Sequence, residues 1–188
     1  MAELAELSIP SHEECYQILR DYQVPDRVVK HVEVVNRIAV FLAQKLREAG
    51  VDIDVELVDR ASLLHDLDGV MTKGEHRGVH GEVAEQILIN KGYPQIARIV
   101  KNHVYWCINK DGLSWEEKVV NYADKRGMAN VVSMQERLDY FHKRYKTCSD
   151  GEEALARKTN AKLFEVEREI FSKLDFEPSD LKSLINLR

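Results

Sequence analysis

The chain reads as an all-α helical bundle of about seven or eight helices, and three observations predict that class. Apolar residues recur one helical turn apart rather than in the alternation of a strand. The four prolines, Pro10, Pro25, Pro94 and Pro178, fall where helices should begin or end. Ser11 with Glu14, Ser114 with Glu117 and Ser133 with Glu136 repeat the spacing of a capping box, in which hydroxyl and carboxylate each bond the other's backbone N–H. Repeats, low-complexity tracts and Pro-rich linkers are absent, and 188 residues suffice to bury one core, so residues 1–188 are expected to form a single domain.

The first capping box opens a short helix to about Arg20. Pro25 suits the first turn of a long helix that ends at Gly50 and carries Val28, Val32, Val35, Ile38 and Leu42 on one side. A third helix runs from about Val55 to His65. The stretch "GVMTKGEHRG" is too rich in glycine to extend it, which places a loop between Asp68 and Gly78. The next helix starts near His80 and stops around Asn90, with Gly92 as its end signal; Pro94 opens another through about Tyr105. Helices follow Ser114 and Ser133, and the amphipathic stretch from Glu152 to Leu174 is a long helix that closes the core, leaving a short tail.

Composition narrows the function. The three cysteines, Cys15, Cys107 and Cys148, offer no C-x-x-C spacing and no paired framework, which points to a reducing compartment. The segment "MAELAELSIP" is acidic where a secretory signal is basic, and no apolar run reaches membrane-spanning length; a cytoplasmic protein with no membrane partner is expected. A formal net charge of −5 argues against polymeric nucleic acid, and the basic cluster Lys143, Arg144 and Lys146 reads as a solvated helix face.

The seven histidines sort by their helical register. His31 shares its face with Val35, Ile38 and Leu42; His65 follows Val58 and Ala61; His80 precedes Val83, Ala84 and Ile87; His103 follows Ile96, Ile99 and Val100. These four point inward, whereas His12, His76 and His142 belong to the surface or rim. One buried imidazole is usually a core group bonded to a neighbour. Four, joined by Asp124 one turn after the apolar Val120, are costly to bury unless paired, and a shared divalent cation satisfies them together. His65 and Asp66 are adjacent and would diverge on a helix; local opening of the last turn lets both approach one ion.

In order and context, His31, "LLHDLDGV" with its paired His65 and Asp66, and Asp124 in "NYADKRGM" resemble the HD superfamily of metal-dependent phosphohydrolases. The resemblance runs from about Glu13 to Met128 and includes the lead-in "DYQVPDRVVKHVEVVNRIAVFLAQKL"; the last third, about 133–188, carries no family signature and is expected to pack on this core. It implies an HD-type helical bundle, a principal metal held by His31, His65, Asp66 and Asp124, and hydrolysis of a phosphate ester or anhydride. Mixed imidazole and carboxylate donors suit Mn, Fe, Co, Ni or Zn better than the all-oxygen sites of Ca or Mg; one or two ions are expected, Fe or Mn first, with Ni, Co, Zn or Mg behind them.

His80 and His103 look like the two extra histidines of the binuclear branch, where Asp66 would bridge two ions; one ion with two supporting histidines remains the alternative. The pattern is similar to small bacterial enzymes that cut diadenosine tetraphosphate symmetrically. It is also similar to the HD-GYP cyclic-dinucleotide phosphodiesterases, except that "KGYPQ" precedes His103 and reads as a helix boundary.

A bound metal lowers the pKa of its water from near 15.7 to about 7. Asp66 is thus a candidate catalytic group, with His76 as proton donor to the leaving group and Glu75 behind it. Lys73 and Arg77 in the loop, and Lys125 and Arg126 beside Asp124, are the candidate cations for the phosphate. Tyr105 and Trp106 either stack on a nucleobase or pack in the core. The expected partner is a small phosphorylated substrate, and a homo-oligomer is left open. Two competing functions use the same residues: a di-iron oxygenase, and a non-catalytic metal- or ligand-binding module.

Overall fold

A computed structural model of the chain describes residues 8–72, 78–144 and 150–186. Among them, nine α-helices follow one another: α1 (His12–Asp21), α2 (Asp26–Glu48), α3 (Val55–Leu64), α4 (Glu82–Asn90), α5 (Pro94–Asn102), α6 (Trp115–Asp124), α7 (Met134–Arg144), α8 (Asp150–Phe171) and α9 (Leu181–Asn186). A 3₁₀ turn spans Tyr105–Asn109 between α5 and α6. The described residues hold no β-strand, only an isolated bridge between Gly127 and Val131.

The long helix α2 is the central strut. It buries Val32, Val35, Ile38, Leu42 and Leu46 against α3 and α6, and each such side chain contributes about 1.5–3 kcal/mol when fully removed from water. From α3 come Val58, Ala61 and Leu64; from α6 come Val119, Val120 and Ala123, all buried. Gly127, just past α6, lies so close to α2 that a Cβ there would sit 2.7 Å from Val35 Cγ2. Any larger residue would force Val35 or the end of α6 to shift.

Two helix starts are as the sequence predicts, with complete capping boxes at Ser11/Glu14 and Ser114/Glu117. At α7 the Ser133 and Glu136 side chains likewise bond each other's backbone N–H. Glu117 does more than cap, because its other oxygen accepts from Arg98 Nε at 2.8 Å and Asn102 Nδ2 at 2.7 Å and so binds α5 to α6. Burial resists its ionisation, but the Ser114 backbone, Arg98 and Asn102 outweigh that and hold the carboxyl below its ordinary range.

Several boundaries differ from the sequence-based expectation, among them the long C-terminal helix, which runs Asp150–Phe171. Pro25 stands at the N-cap of α2, not in its first turn. The fourth helix begins at Glu82, so His80 lies in the preceding turn. The tail is not featureless: α9 buries Leu181 and Ile185. The fifth helix stops at Asn102 instead of Tyr105, and the reason is tertiary. Three successive carbonyls are taken by α6: Asn121 Nδ2 donates to those of Asn102 and Val104 at 2.8 and 3.1 Å, and Lys125 Nζ to that of His103 at 2.9 Å. With its C-terminal carbonyls bound from outside, the chain turns at His103 and Val104 becomes extended.

The helices after residue 133 lie on this core. Tyr105 Oη donates to the Ala156 carbonyl at 3.1 Å, Asn109 Nδ2 to Thr159 Oγ1 at 2.7 Å, and Lys118 pairs with Glu169 at 2.6 Å, so α8 runs along the 3₁₀ turn and α6. Cys15 and Cys107 are free and buried, and Cys148 lies outside the described residues. Among the described residues no helix is long and apolar enough to cross a membrane.

Candidate metal centre

The buried face between α2, α3, α5 and α6 gathers imidazoles and carboxylates from five chain segments. His31 comes from the first turns of α2, His65 and Asp66 from the end of α3, His80 from the turn before α4, His103 from the end of α5 and Asp124 from the last turn of α6. α3 stops at Leu64, and residues 65–72 continue as turns, with Leu67 N–H on the Leu64 carbonyl and Gly69 N–H on that of Asp66. The adjacent imidazole and carboxylate, which a continuing helix would splay by about 100°, therefore converge.

Asp66 stands at the middle. Its Oδ2 lies 3.8 Å from His31 Nε2 and 3.9 Å from His65 Nε2; its Oδ1 lies 3.3 Å from His80 Nε2 and 3.6 Å from His103 Nε2. Asp124 Oδ1 is 3.1 Å from His31 Nε2 and 3.7 Å from His65 Nε2. A first-row ion about 2.1 Å from each donor keeps neighbouring donors roughly 3 Å apart. His31, His65 and Asp124 form one such group, and His65, Asp66 and His103 a second.

The tautomers are set from outside the cluster. His65 Nδ1 faces the Ser62 carbonyl at 2.8 Å, and His103 Nδ1 faces that of Val100, so in the neutral form of each ring the lone pair sits on Nε2 and faces inward. His65 Nε2 is fully buried and has no hydrogen-bond partner. His103 Nε2 and His80 Nε2 are 3.1 Å apart, a contact that needs a positive charge between or upon them. An orphaned ring nitrogen, and two more that face each other across 3.1 Å, are ringed by carboxylates and so call for positive charge, a proton or a metal ion.

Electrostatics agree. Desolvation resists the charge on His80, yet Asp66 and Asp68 push its imidazole up to about 10. His103, where burial prevails, is held below its ordinary value. Desolvation also opposes ionisation of Asp66 and Asp124. The surrounding imidazoles, and for Asp124 chiefly Lys125, nevertheless keep both well below the carboxylate range.

A family model for the HD domain matches residues 28–129, more than half of the chain, and spans His31 through Asp124. The chain belongs to the HD-domain family. HD domains bind divalent metals, and the two His/Asp groups here could hold one.

Among curated relatives, an uncharacterized protein of Methanocaldococcus jannaschii is 32% identical over 53% of this chain and 65% of its own. The tRNA (cytidine(56)-2'-O)-methyltransferases of Picrophilus torridus and Thermoplasma volcanium are each 27% identical, over 71% and 79% of this chain. The HD chain spans only 41% and 46% of those two proteins, so the match accounts for less than half of each. No solved structure matches.

The remaining candidates of this HD domain fall elsewhere. Lys73, Glu75, His76 and Arg77 lie outside the described residues. Lys125, expected on the substrate, is instead buried, its ammonium donating to Asp124 Oδ2 at 2.6 Å and to the His103 carbonyl; it ties two site residues together. Arg126 is buried too and faces away, toward Glu167 and the Pro178 carbonyl. His12 is exposed and pairs with Asp59, and His142 is exposed. Tyr105 packs against Phe141 and bonds α8, while Trp106 remains 44% exposed.

Sequence reasoning missed Asp68, although it stands two residues after Asp66. Its Oδ2 accepts the N–H groups of Gly81 and Ala84 at 2.8 and 3.1 Å, capping α4, and its Oδ1 lies 2.8 Å from His80 Nδ1. Gly81 makes this approach feasible: its φ is +84°, and a Cβ would meet Val104 Cγ2 at 2.7 Å. Asp68 therefore stands as a counter-charge behind His80, whose Nδ1 also meets Thr72 Oγ1 at 3.3 Å and whose Nε2 faces Asp66. In Asp68→Asn the cap can survive but the charge behind His80 is lost. Metal affinity, read by chelator competition, should fall roughly 10- to 100-fold with the helical signal intact; an unchanged affinity would refute the positioning role.

Proposed function

We propose that this HD domain is a metal-dependent phosphohydrolase acting on a phosphate ester or anhydride of a nucleotide or another small phosphorylated metabolite. The observation that carries the reading is the division of the Asp66 carboxylate, with one oxygen toward His31 and His65 and the other toward His80 and His103. Such a carboxylate would suit a bridge between two ions of the set Mn, Fe, Co, Ni or Zn that mixed imidazole and carboxylate donors favour, with Fe or Mn taken first. When bound, the ions polarise a phosphoryl oxygen and supply a water of lowered pKa.

In the balanced reaction the water oxygen joins phosphorus as the bond to the leaving oxygen breaks. One water proton ends on the leaving group and the other stays with the released phosphate. The chain's own residues fix the arrangement: Ser62, Val100 and Asp68 orient three rings, and Lys125 keeps Asp124 from turning away. A formal net charge of −5 favours a small substrate over polymeric nucleic acid, so the tRNA in the names of two relatives is not carried over.

The test is metal analysis of purified and reconstituted protein, followed by turnover of nucleotides, dinucleoside polyphosphates and simple phosphomonoesters with and without oxygen. Anaerobic phosphate release with about two metal ions per chain is expected. His103→Ala should lower the metal count to one without unfolding the protein; an unchanged count would overturn the two-ion reading. Turnover that requires dioxygen would make the centre an oxygenase, and a loaded protein inert toward the whole panel would make it a binding module.

A further inference from the structure

Arg137 stands on α7, beyond the residues that match the HD family, yet its guanidinium reaches the metal centre. Nη2 lies 3.5 Å from Asp124 Oδ1, the oxygen that is 3.1 Å from His31 Nε2. That separation is too long for a hydrogen bond, so Asp124 attracts the guanidinium without engaging its N–H groups. The side chain is only 13% exposed, and its carbon centre lies 4.6 Å from the centroid of the Phe141 ring. Phe141 packs in turn on Tyr105, which α8 secures through its hydroxyl.

Nε of Arg137 is buried and has no hydrogen-bond partner among the described residues. A buried donor of a charged group left unpaired is costly, and this one is held stiffly by an aromatic face beside a cluster built for cations. The other basic residues near Asp124 differ, because the donors of Lys125 and Arg126 are already committed to protein acceptors. We propose that Arg137 is a substrate-binding residue that receives the phosphoryl oxygens, delivered to the HD core by the C-terminal helices. Its planar fork presents two parallel donors to a tetrahedral oxyanion, a geometry no single ammonium offers. The ligand class rests on the phosphohydrolase reading; the existence of an anion site rests on the geometry alone.

Binding of inorganic phosphate to the metal-loaded protein, followed by calorimetry, separates the two. Arg137→Gln should keep the metal count and thermal midpoint of the wild type and bind phosphate roughly 10- to 100-fold more weakly. Arg137→Lys, which keeps the charge but not the fork, should fall between them and carries the test should the Gln variant fold poorly. Equal phosphate affinity in wild type and variants, no phosphate binding in the wild type, or loss of metal from Arg137→Lys would overturn the assignment. Phosphate binding that depends on Arg137 in a protein that hydrolyses no ester would uphold the anion site and refute the hydrolase reading instead.

Discussion

Asp66→Ala is expected to reduce phosphate-ester turnover at least about a thousandfold, which corresponds to about 4 kcal/mol of transition-state stabilisation, while leaving a folded helical protein. The size follows from where the carboxylate stands. Its two oxygens face two separate pairs of imidazoles at 3.3 to 3.9 Å, so removing it takes a donor from both halves of the centre at once. The fold should survive, because Asp66 lies in the turn after α3 and the buried contacts of that helix run through Val58, Ala61 and Leu64. Steady-state kinetics beside metal analysis and circular dichroism check it. A variant that keeps its metal and its turnover would assign the activity to other residues or to a contaminant.

How much of this centre could be read from the chain depends on the range of the interaction that makes each part. His31 follows the apolar period of α2, His65 and His103 continue those of α3 and α5 just past their ends, and His80 stands in the turn before α4; their side chains are 18%, 0%, 2% and 23% exposed in that order. The capping boxes at Ser11, Ser114 and Ser133 are contacts across three residues, and they mark the starts of α1, α6 and α7. The end of α5 was not legible in this way. It is made by Asn121 and Lys125, some twenty residues away, whose short-range pattern says only that they lie on a helix. Arg137 was equally silent, since its partners Asp124 and Phe141 come from different helices and one of them is a neighbour only in the fold. Lys125 misled for the opposite reason: a lysine beside a candidate ligand suggests a substrate contact, whereas burial and two acceptors make it a brace.

The same distinction governs the second large expected effect, in a residue that touches no part of the metal centre. Arg126 is buried at the end of α6, where it donates to the carbonyls of Val132 and Pro178, to the Tyr122 hydroxyl and, at 3.2 Å, to Glu167 Oε2 on α8. Tyr122 Oη donates to the same Glu167 oxygen at 2.7 Å. Glu167→Ala would leave a buried guanidinium without its anion and a buried hydroxyl without its acceptor, a loss of about 3–5 kcal/mol. For a chain of this length that lowers the thermal midpoint by roughly 10 °C, which calorimetry can read. The charge pair itself need not be net stabilising, because both ions must leave water. The double variant Arg126→Met, Glu167→Leu should consequently be less destabilised than the sum of its single changes. A drop of less than about 3 °C in Glu167→Ala would show that α8 is held to the HD core by its apolar contacts and not by this pair.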